Sequence, residues 1–93
     1  MKFQPGDQVT VYSGPNVVDS ATGQPFWFPA VITHGPVIGN KGTETYCTLG
    51  MGPAAYPFDQ TYHLADDLRP ASEPNPDLDR RYQAFRAWAY PNG

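Results

Sequence analysis

Proline and glycine constrain this chain more than any other feature: 11 Pro and 9 Gly, 20 of its 93 residues, are spread along it. Proline fixes φ and has no backbone donor, and glycine takes positive φ freely. Such a density cuts a chain into short elements joined by turns. Rings make up 14% of the residues, which separates the chain from disordered segments, where rings are scarce. A chain of this length buries roughly 60–65% of the surface it would expose unfolded, so one domain with a small core is expected.

The spacing of apolar residues predicts a β-rich body. Pro5-Gly6 is a turn, and Val9 and Val11 alternate with Gln8, Thr10 and Tyr12 in the period-two pattern of a half-buried strand. Ser13 to Gln24 reads as a long loop, broken at Gly14-Pro15 and Thr22-Gly23. Phe26 to Thr33 is the second strand and the most apolar stretch; Pro29 within it calls for an edge position or a bulge. Gly35-Pro36 is expected to end that strand, and Gly39-Asn40-Lys41-Gly42 to make a hairpin turn. Thr43 to Leu49 follows, rich in β-branched and aromatic residues, then a turn at Gly50-Met51-Gly52-Pro53 and a strand over Tyr56 to Leu64. Ala65-Asp66-Asp67 reads as one helical turn with a capping role for the aspartates, and Leu68-Arg69 as a last short strand. Five short strands in this span point to a small barrel.

Beyond Arg69 the pattern changes. Pro70, Pro74 and Pro76 stop strand pairing. Asn75 is a good N-cap, Pro76 suits the first helical position, and Leu78, Tyr82, Phe85 and Ala89 form one helical stripe bordered by Trp88. Asp77 and Arg81 are spaced as an i,i+4 pair. About four turns of isolated helix are marginal in water, so the stripe must dock, either on the body or on another molecule through Tyr82, Phe85 and Trp88.

These pieces together resemble the Tudor/Agenet group of SH3-like barrels. The resemblance rests on Phe3-x-x-Gly6-Asp7-x-Val9-x-Val11, Trp27-Phe28-Pro29-Ala30-Val31-Ile32, Tyr46-Cys47-Thr48, His63-Leu64 and Leu68-Arg69-Pro70. It covers residues 3–70 and leaves the helix unexplained; the extended loops at 13–24 and 34–42 depart from the pattern. The fold class it implies is mainly β: a five-stranded SH3-like barrel over residues 1–70, with a Pro-rich linker and docked amphipathic helix over residues 71–93. Tudor-like domains hold methylated Lys or Arg in an aromatic cage, a cation over ring faces worth about 0.5–2 kcal/mol per good contact. The matching positions are Tyr12, Trp27, Tyr46 and Tyr62, with Glu44 or Asp67 as the carboxylate, and Phe28 joins them in a wider aromatic groove. Small free-standing barrels of this kind serve as adaptors or inhibitors in bacteria and their phages, so the resemblance implies a non-catalytic module for a protein or peptide.

Charge and spacing narrow the classes. A net charge of −3 with only 6 basic residues disfavours nucleic acid, which needs clustered cations to displace counterions. A single-stranded nucleic-acid or ribosome-associated module is the alternative, because base stacking is charge-independent. A structural homo-oligomer, built through the helix and a strand edge, is another. His34, His63 and Cys47 lack the close spacing of metal ligands, and no phosphate-loop pattern occurs, so neither metal nor cofactor is expected. Cys47 with His63 has the residue types of a nucleophile and base, but a small cysteine within a strand reads as packing, and no catalysis is expected. No apolar run reaches membrane-span length, Met1 to Pro5 has no signal-like apolar region, and a lone cysteine fits a reducing cytoplasm.

Overall fold

The computed structural model describes residues 2–12, 14, 18–39, 41–50 and 60–92. Among these residues five strands, β1 (Gln8–Tyr12), β2 (Trp27–Ile38), β3 (Glu44–Gly50), β4 (Gln60–Leu64) and β5 (Leu68–Pro70), form one antiparallel sheet in the order β4-β3-β2-β1-β5. A 3₁₀ turn over Ala65–Asp67 joins β4 to β5, and one helix, α1 (Pro76–Ala89), follows.

In a flat sheet the edge strands β4 and β5 would lie four spacings apart, about 19 Å at ~4.8 Å each. The chain crosses from Leu64 to Leu68 in four steps, which reach at most about 14 Å. The sheet therefore curls and its two edges approach; among the described residues no ladder joins them.

Alternation gives the sheet two buried faces. On one, Val9, Val11, Ala30, Ile32, Tyr46 and Leu68 pack with Phe3, and Phe28 and Ala65 border them. On the other, Val31 and Leu49 meet Leu78 and Phe85 of α1, with Tyr82 and Ala89 alongside. The expected stripe thus docks within the chain. Phe85 is 1% exposed, so the helix contact through Phe85 is intramolecular, which corrects its assignment to a partner. Tyr82 is half-buried over Gly6, and Trp88, 63% exposed, points outward from the stripe.

The helix begins as the residues dictate. Asn75 has extended backbone, and its Oδ1 accepts from the backbone N–H groups of Asp77 (3.0 Å) and Leu78 (3.3 Å), with Pro76 at the first helical position. Gln8 ties this start to β1: its Nε2 donates to the Asn75 carbonyl at 3.1 Å and its Oε1 accepts from Asn75 N–H at 2.7 Å. The ion pair on the helix is Asp77 with Arg80 rather than with Arg81. Arg81 reaches the sheet, where its Nε donates to the Gly50 carbonyl at 2.7 Å.

β2 does not end at Gly35-Pro36 but runs to Ile38, with two register shifts, between Ile32 and His34 and between His34 and Val37. These bulges absorb the extra residues and let consecutive Thr33 and His34 both serve the helix-covered face. Pro29 lies opposite Thr10, in a ladder whose bonds to β1 come from its neighbours. Its donor-less nitrogen faces the other side, where β3 pairing starts only at Ala30–Gly50. Within the expected loop, Val18 bridges Pro25 and Asp19 organises a tight turn: its carbonyl accepts from Gly23 N–H at 2.7 Å and its Oδ1 from Ala21 N–H at 2.8 Å. Gly42 N–H closes the next turn on the Gly39 carbonyl. The expected turn at residues 51–53 and the start of the fourth strand at 56–59 lie outside the described residues. The aspartates cap nothing at the 3₁₀ turn, whose cap position, Leu64, has no side-chain cap bond. No helix among the described residues is long and apolar enough to cross a membrane.

Candidate functional site

Of the residues expected to form an aromatic groove, the sheet brings two together. Tyr12 and Trp27 are opposite each other in the β1–β2 ladder, their rings 5.4 Å apart and tilted by 49°. Both are half-buried on the face that α1 covers further along. Arg69, opposite Thr10 on β5, extends across β1 and places its Cζ 4.0 Å from the Trp27 ring centroid. The site is therefore a three-residue stack, Tyr12–Trp27–Arg69, on three adjacent strands.

The other expected members stand elsewhere. Tyr46 is fully buried: its ring meets Phe3 edge-on at 5.4 Å and its hydroxyl accepts from Phe3 N–H at 3.0 Å. It is core, and its place in a groove is corrected. Phe28 alternates to the opposite face from Trp27, borders the first core and stacks with Phe26 at 6.5 Å. Tyr62 is 73% exposed on β4, three strands away from β1. Glu44 lines a cavity of about 370 Å³ with Gly42, Thr43, Leu64, Ala65 and Asp66, also away from Trp27. Asp67 acts on His63 instead. Burial pushes that imidazole below its ordinary value of 6.5, and the Asp67 carboxylate pulls it partly back.

A polar network under the C-terminal end of α1 has no forerunner in the sequence reading. Gln60 Oε1 accepts from Thr33 Oγ1 at 2.8 Å and Cys47 Sγ at 3.1 Å, and lies 3.2 Å from His34 Nδ1. His34 Nε2 lies 3.0 Å from the Tyr90 hydroxyl, and its ring meets Phe85 edge-on. With Gln60 Oε1 accepting, Nδ1 is the donor of that bond. This network fixes the helix end. Cys47 is opposite Tyr62 and His63 opposite Tyr46, so Cys47 and His63 emerge on opposite faces and do not meet as nucleophile and base. Among the described residues no three of His, Cys, Asp and Glu are grouped to hold a metal.

Arg69 is the site residue that spacing could not find. It stands 42 positions from Trp27, and only the β2-β1-β5 order brings them together. No family model matches the chain, nor does any curated protein or solved structure.

Proposed function

We propose that the chain is a non-catalytic binding module that recognises a protein or peptide through the Tyr12–Trp27 surface. The supporting observation is the paired rings, half-buried and held by Arg69, at an end of the sheet that α1 does not cover. Rigid aromatic area backed by a packed scaffold binds with little loss of side-chain entropy. The curled five-strand order with a short turn between edge strands supports an SH3-like, Tudor-related barrel, and an adaptor or inhibitor of a host factor in the cytoplasm is the role that reading gives it. Nucleic acid is the weaker reading because the arginines are dispersed: Arg80 pairs with Asp77, Arg81 with a sheet carbonyl, and Arg69 with a ring.

Capture from native lysate with wild type and with a Tyr12→Ala, Trp27→Ala variant tests this. The captured partner should be lost in the variant while its thermal midpoint stays within a few degrees. A partner retained at full yield overturns the reading.

A homo-oligomer is favoured by one observation. β4 (Gln60–Leu64) carries no charge and no proline, exposes Tyr62 and Leu64, and has no ladder on its outer side among the described residues. Sedimentation at rising concentration should then show association that Tyr62→Lys abolishes; a wild-type chain monomeric at millimolar concentration removes this alternative.

A further inference from the structure

We infer that the Tyr12–Trp27–Arg69 site takes a carboxylate on its ligand, not a methylated cation; this rests on the binding-module reading above. One face of the Trp27 ring already holds a cation, with the Arg69 Cζ 4.0 Å from the ring centroid. On that face a ligand cation would have to displace a guanidinium tethered to β5, on the far side of β1, whose effective concentration is far above that of a free competitor. The guanidinium itself remains available. Among the described residues it donates to no carboxylate and no carbonyl, whereas Arg80 and Arg81 each have an acceptor.

Stacking on the ring restricts the long side chain, so its N–H donors are oriented before a ligand arrives. A planar guanidinium matches the two oxygens of a carboxylate bidentately. The residues of β1, β2 and β5 that share this face near the stack are Gln8, Thr10, Tyr12, Trp27, Pro29 and Arg69, none of them acidic. The site is a single positive point with apolar rings beside it in a chain of net charge −3. One cation suits one carboxylate flanked by an apolar side chain; a polyphosphate backbone needs several. The ligand is therefore a peptide segment with a carboxylate beside an apolar side chain, the carboxylate coming from a Glu or Asp side chain or from a chain terminus.

The test uses the full ¹⁵N-labelled chain. The probes are blocked peptides Gly-Tyr-X-Tyr-Gly with X as Glu, Gln or trimethyl-lysine, the Gln peptide with a free C-terminal carboxylate, and a twelve-residue oligothymidylate. The signals followed are the Trp27 indole N–H and the Arg69 Nε–H. The Glu peptide should shift both saturably, and at least tenfold more weakly when X is Gln. Arg69→Gln should lose the Glu-peptide shifts and take the trimethyl-lysine peptide more tightly than wild type does. Arg69→Lys, which keeps the charge without the fork, should bind the Glu peptide at least several-fold more weakly. If Arg69→Gln does not fold, the Glu-against-Gln comparison on wild type and Arg69→Lys decide. Shifts from the free-carboxylate Gln peptide equal to those from the Glu peptide assign the terminus as a source of the same chemistry and support the inference.

Wild type binding the trimethyl-lysine peptide as tightly as the Glu peptide overturns the inference and leaves the binding-module reading standing. Peptides that move neither signal overturn both. Oligothymidylate that shifts both signals, with an affinity falling steeply with salt, overturns both in favour of nucleic acid.

Discussion

Gly35 shows how much can rest on one hydrogen in place of a methyl group. Its φ is +129°, and a Cβ there would stand 2.6 Å from Cδ1 of Tyr46 and 3.1 Å from the Thr45 carbonyl oxygen. Gly35→Ala combines backbone strain with overpacking against a fully buried ring, and should cost on the order of 2–4 kcal/mol, measured as the shift in urea-unfolding free energy. Tyr46 itself was legible as a strand residue but not as core. Period two says which residues share a face, not whether that face is covered, and here both faces of β3 are. His63 supplies a pH signature. Its folded-state value lies below 6.5, so the unfolded chain takes up the proton first as pH falls. The imidazole contributes no pH slope above about pH 7.5, where it is neutral in both states. Stability is lost as pH drops through 6.5 toward the lower folded value, and His63→Gln should remove that part of the slope from the urea midpoint plotted against pH.

At the scale of elements, α1 was readable almost to its ends because its signals are local: Asn75 and Pro76 start it, and Leu78, Tyr82, Phe85 and Ala89 recur on one side. Its attachment was not. The two hydrogen bonds between the Gln8 amide and the Asn75 backbone join positions 67 apart, and Tyr90 finds His34 across 56. Asn75→Ala removes the cap and should cost about 1 kcal/mol. Phe85→Ala empties a buried ring site and should cost about 3–5 kcal/mol. Both are read from chemical denaturation, and both act on a chain whose molecular mass in sedimentation stays the same. A drop in mass on Phe85→Ala would mean that the ring serves an intermolecular contact. β2 was legible only in its first half, since Gly35-Pro36 has the composition of a strand end. Two bulges carry the ladder past it, and a bulge has no composition of its own. The same lack of local signal hid the Arg69–Trp27 contact, which exists because β1 separates β2 from β5 by a single strand.

Across the whole molecule, β2 is the wall between two small interiors. Ala30 and Ile32 belong to the one lined by Phe3 and Tyr46, and Val31 to the one closed by Leu78 and Phe85. The β-rich body and its docked helix were foreseeable from punctuation and periodicity. The division of the core in two was not, because it depends on where the helix lies after the sheet has curled. That division separates the timescales on which parts of the backbone meet solvent. The helix leans on four side chains and a few polar ties, so it can lift and reseat while the strands stay paired. Deuterium should therefore enter the amides of residues 77–89 through partial opening, whereas the amides of residues 30–33 wait for complete unfolding. Their exchange free energy should equal the global value from denaturant titration and exceed that of the helix.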